Sequence, residues 1–164
     1  MPITINGSTG VTYPVIAGAT SAVQASSSKV LQVVSANYAT QTSSSSSTYA
    51  DTGLTASITP SSASNKILVL ANVAGVFKFT TDTGCSLKLL RGATDLIVFA
   101  EEAGYTGTTA TNLVGTQSCS YLDSPATTSA TTYKVQFKSA SNTATVRVQA
   151  ISATSTIILM EIAA

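Results

Sequence analysis

KILVLANVAGVFKF, residues 66–79, decides the architecture of this chain. Its opening Ile67-Leu68-Val69-Leu70 leaves no polar residue to face water on either side of a strand, because side chains alternate between the two faces. Such a run needs cover on both faces, from a second sheet or from neighbouring subunits. TIILMEI, residues 156–162, repeats the pattern near the C-terminus, and so apolar an end would fray or aggregate unless it were locked inside a core or an oligomer axis. Ile67, Val69, Ile157, Leu159 and Ile162 are therefore the expected oligomer core.

On the N-terminal side of this run, KVLQVVSANYAT at 29–40 has strand character, with Val30, Val33, Val34 and Tyr38, and 42–47 reads as a polar loop. Residues 48–59 alternate Tyr49, Leu54 and Ile58 with small polar residues, break near Asp51-Thr52-Gly53, and turn at Pro60 into the central strand, which predicts that the two pair antiparallel. On the C-terminal side, CSLKLLR at 85–91 reads as a half-exposed strand ending at Gly92, and a further strand follows at 96–100. A Gly and Thr loop at 106–111 leads to a strand at 114–122, with Cys119 and Tyr121 on one face, that stops at Asp123-Ser124-Pro125. Strands at 133–137, at 143–151 with Val146, Val148 and Ala150 on one face, and at 156–162 complete the set.

About eight short antiparallel strands without an amphipathic helix predict an all-β, two-sheet sandwich of jelly-roll type, a single barrel being the other solution. Residues 1–28 read as an arm. It holds two extended pieces around Asn6-Gly7, a pair suited to a tight hairpin turn, then an Ala, Ser and Gly stretch that is a linker or a brief helix at 21–25. The predicted division is an attachment arm at 1–28, with Ile3, Ile5, Val11 and Tyr13 as its contact residues, and a sandwich domain at 29–164.

Charged residues make up 9% of the chain, against roughly 25% in ordinary soluble domains, while Ser and Thr supply about a third. With 44% hydrophobic residues the chain is nevertheless a folding one. A surface of Ser, Thr, Ala and Asn suits a protein whose sides are covered by copies of itself or by a larger particle, since a free monomer relies on charge for solubility. Homo-oligomerisation is thus expected, and a homotrimer accommodates two strands that are apolar on both faces. A net charge of +1 with scattered Lys and Arg gives no basis for nucleic acid or membrane as a partner. No export signal is evident at the N-terminus, so synthesis in the cytoplasm and reduced Cys85 and Cys119 are expected.

The chain has no histidine, which removes Ser-His-Asp, Cys-His and His-based metal chemistry. Glu101-Glu102 is the remaining acidic pair, but strand neighbours point to opposite faces and would not form a glycosidase dyad. Gly104, Gly107 and Gly115 lack the Gly-Lys-Ser/Thr ending of a phosphate loop. Asp95, Glu101, Glu102 and Asp123 would bind calcium only if their loops converged. Tyr105, Tyr121 and Tyr133 read first as core caps and second as aromatic faces for a sugar, and Arg91 as paired with Asp95 or Asp51. No catalytic residue, cofactor or metal is expected.

The segments KVLQVVSANYAT, DTGLTASITPSSASNKILVLANVAGV, LKLLRG, SYLDSPATTSATTYKVQF and STIILMEI together resemble the distal domain of tail-fibre and fibre-like structural proteins of bacteriophages, above all those of cyanobacteria and marine bacteria. INGSTGVTYP resembles the entry segment of such fibres, although the Asp-Gly that commonly follows there is replaced by Val15-Ile16-Ala17-Gly18. The resemblance implies a non-enzymatic virion component, a short tail fibre or fibre tip held to other virion proteins by its arm and facing host-surface glycan or protein. Capsid decoration, as a cement or head-fibre protein, is the alternative within the virion; a fibre-borne polysaccharide depolymerase and a trimeric immune-type signalling module are readings of other classes. Tyr105, Thr108, Thr109, Asn112, Asp123, Thr127 and Thr128, on two loops, are the expected receptor-facing residues.

Overall fold

A computed structural model describes residues 5–6, 10–11, 29–141 and 143–164. Two short strands, β1 (Ile5–Asn6) and β2 (Gly10–Val11), pair antiparallel. The other elements are β3 (Val30–Tyr38), β4 (Thr42–Ser44), β5 (Ala50–Ile58), β6 (Lys66–Lys78), β7 (Thr83–Arg91), β8 (Thr94–Thr106), β9 (Asn112–Asp123), β10 (Thr131–Ser139), β11 (Val146–Val148) and β12 (Ser155–Ile162). The described residues contain strands and no helix, as the period-2 patterning requires. Of the expected arm contacts, Ile5 and Val11 are register partners in the first strand pair, while Ile3, Tyr13 and the 21–25 stretch lie outside the described residues.

One sheet has four strands in the order β5-β10-β7-β8. In the six-stranded sheet β6 is central. It pairs with β9 along its whole length on one side, and with β12 and then β11 on the other; β3 extends the sheet beyond β12, and β4 beyond β11. Between the sheets lies a single core, with Leu54, Ile58, Leu87, Leu89, Tyr133, Val135 and Phe137 from one side meeting Ile67, Val69, Val73, Val148, Ile157 and Leu159 from the other.

Several expectations change. The 48–59 strand does not pair with the central one. Leu54, Ala56 and Ile58 bury one face of β5, and residues 59–65 carry the chain across into the opposite sheet, so β5 pairs with β10 instead. The break expected near Gly53 is a β-bulge, where Gly53 takes φ +88° and the partner register shifts, and the strand continues through it. β7 is almost wholly buried, because β10 and β8 flank it. Residues 42–47 are not all loop, since β4 forms a three-residue edge against β11. Conversely, the 143–151 strand shortens to β11, because Gln149, Ile151 and Ser152 take left-handed φ values of 53°, 56° and 57° and turn the chain.

Register defines the two ends of the sandwich. The first of β3, β6 and β10, and the last of β5, β7, β9 and β12, gather at one end, tied by Arg91 to Asp123 and by the 59–65 connection. Residues 1–28 join the domain at this end. The 79–82, 107–111 and 140–145 connections lie at the other end.

Candidate assembly and attachment surfaces

Four of the five residues expected in an oligomer core are placed differently. Ile67, Val69, Ile157 and Leu159 are each 0% exposed within a single chain, because they point between the two sheets; they form the protomer's own core. Ile162 alone points to the opposite face, with the alternate members of the same strands. Across that outer face the register aligns Val33, Met160, Leu68 and Leu122 in one row, Ser35, Ile158, Leu70 and Ser120 in the next, and Asn37, Thr156, Asn72 and Ser118 in a third. No residue in these rows is charged. Val33 and Leu122 remain 56% and 50% exposed, and Leu31 beside them 46%.

The uncharged face continues along β6. A cleft of about 300 Å³ between Ala74, Gly75, Leu113, Thr116, Ala150 and Ile151 follows the third row, and Phe77 and Leu113 pair beyond it. Ile151 is 72% exposed and held at a left-handed φ that a β-branched side chain rarely adopts. From Leu68 to Phe77, four strands wide, the face measures about 19 Å by 30 Å, on the order of 600 Å². That outline, part apolar and part Ser, Thr and Asn, approaches the roughly 800 Å² that each partner contributes to a stable interface.

The outer face of the four-stranded sheet differs in kind. Lys88 binds Asp95 at 2.8 Å, Lys134 binds Asp51 at 2.9 Å, and Gln136 also donates to Asp51 at 2.7 Å. Burial raises the Asp51 pKa, but the hydrogen bonds from Gln136 and Lys134 more than reverse this and leave it lowered. Lys88 and Lys138 both lie over the Tyr49 ring. This side is dressed for water.

At the arm end, Arg91 donates through Nη1 to both Asp123 oxygens at 2.9 and 2.8 Å, and the Tyr133 hydroxyl donates to Oδ2 at 2.6 Å. Asp123, not Asp95 or Asp51, is thus the partner of Arg91. Burial, and next the Asp123 hydrogen bond, push the Tyr133 pKa upward. Glu161, also buried, accepts from Gln32 at 2.7 Å, from the Ser61 amide and hydroxyl at 2.7 and 2.8 Å, and from Asn65 at 2.6 Å. Burial alone would raise its pKa, but these donors hold it down to about 2.

At the far end, Lys78 is 0% exposed and donates to the carbonyls of Thr80, Thr106 and Thr109 and to the Thr106 hydroxyl, pinning the 107–111 loop without a carboxylate. The Tyr105 hydroxyl donates to Asp82 at 2.5 Å, while the ring stays half exposed.

The structure does not bring the expected receptor loops together. Tyr105, Thr108, Thr109 and Asn112 precede or begin β9, whereas Asp123, Thr127 and Thr128 end or follow it, so the twelve residues of β9 hold the two groups about 40 Å apart at opposite ends. The four carboxylates considered for calcium do not converge either: Asp95 and Asp123 are ion-paired, and among the described residues no three metal-ligating side chains cluster. Glu101 and Glu102 do not alternate faces as expected. A β-bulge sets them both opposite Ser86, whose hydroxyl accepts from the Glu102 amide at 3.0 Å, and both side chains are exposed. Cys85 and Cys119 are free thiols, with pKa values pushed up by burial to about 12 and about 11. No family model and no curated protein matches the chain.

Proposed function

We propose that this chain is a non-enzymatic structural component of a bacteriophage virion, a short tail fibre or fibre tip acting in host-surface attachment, and that it works as a homotrimer of jelly-roll protomers. The sequence resemblance motivates the virion reading. The strand orders β5-β10-β7-β8 and β3-β12-β6-β9, with the chain passing repeatedly between the sheets, support the jelly roll. One observation carries self-association above the rest: between Lys66 at one end and Arg147 at the other, three rows of the outer face of the six-stranded sheet hold Val, Leu, Ile, Met, Ser, Asn and Thr without a charge, opposite a face that carries ion pairs.

The positions of the termini favour an orientation. An arm at 1–28 that fixes the protein to a particle joins at the end carrying Asp123, Thr127 and Thr128, which turns Tyr105, Thr108, Thr109 and Asn112 outward as the host-facing group. The experiment is to measure the molar mass of the purified full chain by light scattering, beside Leu68→Lys, and to locate the chain in intact particles by immunogold microscopy. A mass three times the 16.6 kDa chain, a smaller mass for Leu68→Lys at unchanged circular dichroism, and gold at the tail are expected. A monomeric wild type overturns self-association, gold on the capsid moves the chain to decoration, and no gold on particles overturns the virion reading.

A further inference from the structure

We infer that copies of this chain join edge to face: Glu101 and Glu102 on the β8 edge of one protomer pair with Arg147 on the sheet face of the next, in a head-to-tail contact that closes as a ring. This rests on the self-association reading above and specifies its geometry.

Arg147 sits on the outer face of the six-stranded sheet, opposite Ser43 on one side and Phe77 on the other. Its guanidinium carbon lies 3.7 Å from the centre of the Phe79 ring, which fixes the plane of the group. Among the described residues it has no ion pair and no hydrogen bond, and its Nε is buried without a partner. A stacked, pre-oriented guanidinium with unused donors is built for a carboxylate.

Within the protomer the other carboxylates are committed. Asp51, Asp95 and Asp123 hold Lys134, Lys88 and Arg91, Asp82 holds Tyr105, and Glu161 lies in its cage of donors. Glu101 and Glu102 have no hydrogen-bond or ion-pair partner for their carboxylates among the described residues. They stand at a bulge on β8, the open edge of the four-stranded sheet, both exposed, Glu101 on the side of Tyr49 and Glu102 on the side of Tyr105. Ile97 and Val98 on the same edge are 37% and 46% exposed, so the edge, like the face, combines apolar surface with unmatched charge of opposite sign.

The levels along the strands lie close. Lys78 donates to the Thr106 carbonyl and so ties the end of β6 to the end of β8. Arg147 pairs with Phe77, one residue from Lys78, and Glu102 adjoins Ala103, whose partner Cys85 is two residues from the Thr83 that pairs with Thr106. Ser86, opposite Glu101 and Glu102, is three residues from Thr83, so a rotation about an axis along the strands leaves the carboxylates of one copy about 7 Å along the strand direction from the next copy's guanidinium, an offset that the two long side chains span. It also sets Ile97 and Val98 toward the Leu70 and Ile158 row. A two-fold, face-to-face dimer would instead bury each Arg147 against a face that offers no carboxylate. Because edge and face are different surfaces, the contact is heterologous, and such contacts close into rings when the rotation permits.

The test is light scattering and concentration-dependent dissociation of the full chain as wild type, Arg147→Glu, the double variant Glu101→Lys with Glu102→Lys, and the triple reversal, each checked by circular dichroism. Each separate reversal is expected to weaken association by about tenfold or more, and the triple reversal to restore it most of the way. If Arg147→Glu fails to fold, Arg147→Met keeps the contact with Phe79 and carries the same expected loss. An oligomeric wild type whose dissociation is unmoved by either reversal, or is not rescued by the triple one, overturns this contact and leaves self-association standing. A monomeric wild type overturns both.

Discussion

Glu161→Gln probes the point at which the last strand, the first strand of the sandwich and the 59–65 connection are held together. The native carboxylate is fully buried and accepts four hydrogen bonds from Gln32, Ser61 and Asn65. Three of these bonds reach Oε1 and one, from Gln32, reaches Oε2, so Gln keeps its carbonyl at Oε1 and turns Oε2 into a donor facing the Gln32 amide. Losing one bond to a charged group, about 1.5 kcal/mol, and the charge assistance of the other three, about 0.5 kcal/mol each, costs about 3 kcal/mol, or about 10 °C in Tm for a domain of this size. The pH dependence has a definite sign. The folded-state pKa is depressed from 4.5 to about 2, so the stability it contributes is fully present above the unfolded value and is lost as pH falls through that interval. Thermal melts of both proteins followed by circular dichroism between pH 7 and pH 2 give the difference in Tm, which is expected to be near its full size at neutral pH and to close as the wild-type carboxylate takes up its proton. A difference that stays constant across that range, or that is absent at pH 7, refutes the assignment of Glu161 as an ionised anchor.

Gly75→Ala would place a methyl group 2.5 Å from the Ala150 amide nitrogen and carbonyl oxygen at φ +61°, and should cost about 3 kcal/mol by urea denaturation, with a loss below 0.5 kcal/mol counting against the tight β6 to 149–153 contact. Asp123→Asn leaves a half-buried guanidinium without its charge partner and should cost about 2 to 3 kcal/mol; adding Arg91→Met should recover part of it in a double-mutant cycle, and strict additivity of the two would show that the pair is not coupled.

How much was legible follows from the period of the pattern. Strands with one apolar face, such as β10 with Tyr133, Val135 and Phe137, are read directly, because only one face can be buried. Ile67-Leu68-Val69-Leu70 has no polar phase marker, so the sequence identifies an apolar central strand without saying which face turns into the protomer's core. In TIILMEI the one marker misleads: Glu161 shares its face with Ile157 and Leu159, and that face is the inner one. Only the three-dimensional convergence of Gln32, Ser61 and Asn65 makes a buried carboxylate tolerable there, and those residues lie far away in sequence. The same limit hid Asp123 as the partner of Arg91, since the pairing depends on which strands meet across the two sheets. At Gly53 the sequence marks an irregularity without showing that the strand continues through it, and the bulge at Glu101-Glu102 has no marker at all, for a different reason. A single extra residue shifts register without altering composition, and it reverses what alternation predicts for every neighbour.

The distribution of charge links these features. A chain with fifteen ionisable acids and bases, eight Lys and Arg with seven Asp and Glu, has few to spend on solubility. It places paired ones on the outer face of the four-stranded sheet and in the two buried clusters, and keeps the rows from Val33 to Leu122 and from Asn37 to Ser118 free of them. At 9% charged residues, twelve positions would carry about one charge on average, and a free monomer would be more soluble for it. Arg147 on the face and Glu101 with Glu102 on the edge stay outside the protomer's ion pairs, and they are the groups on which the proposed edge-to-face contact draws.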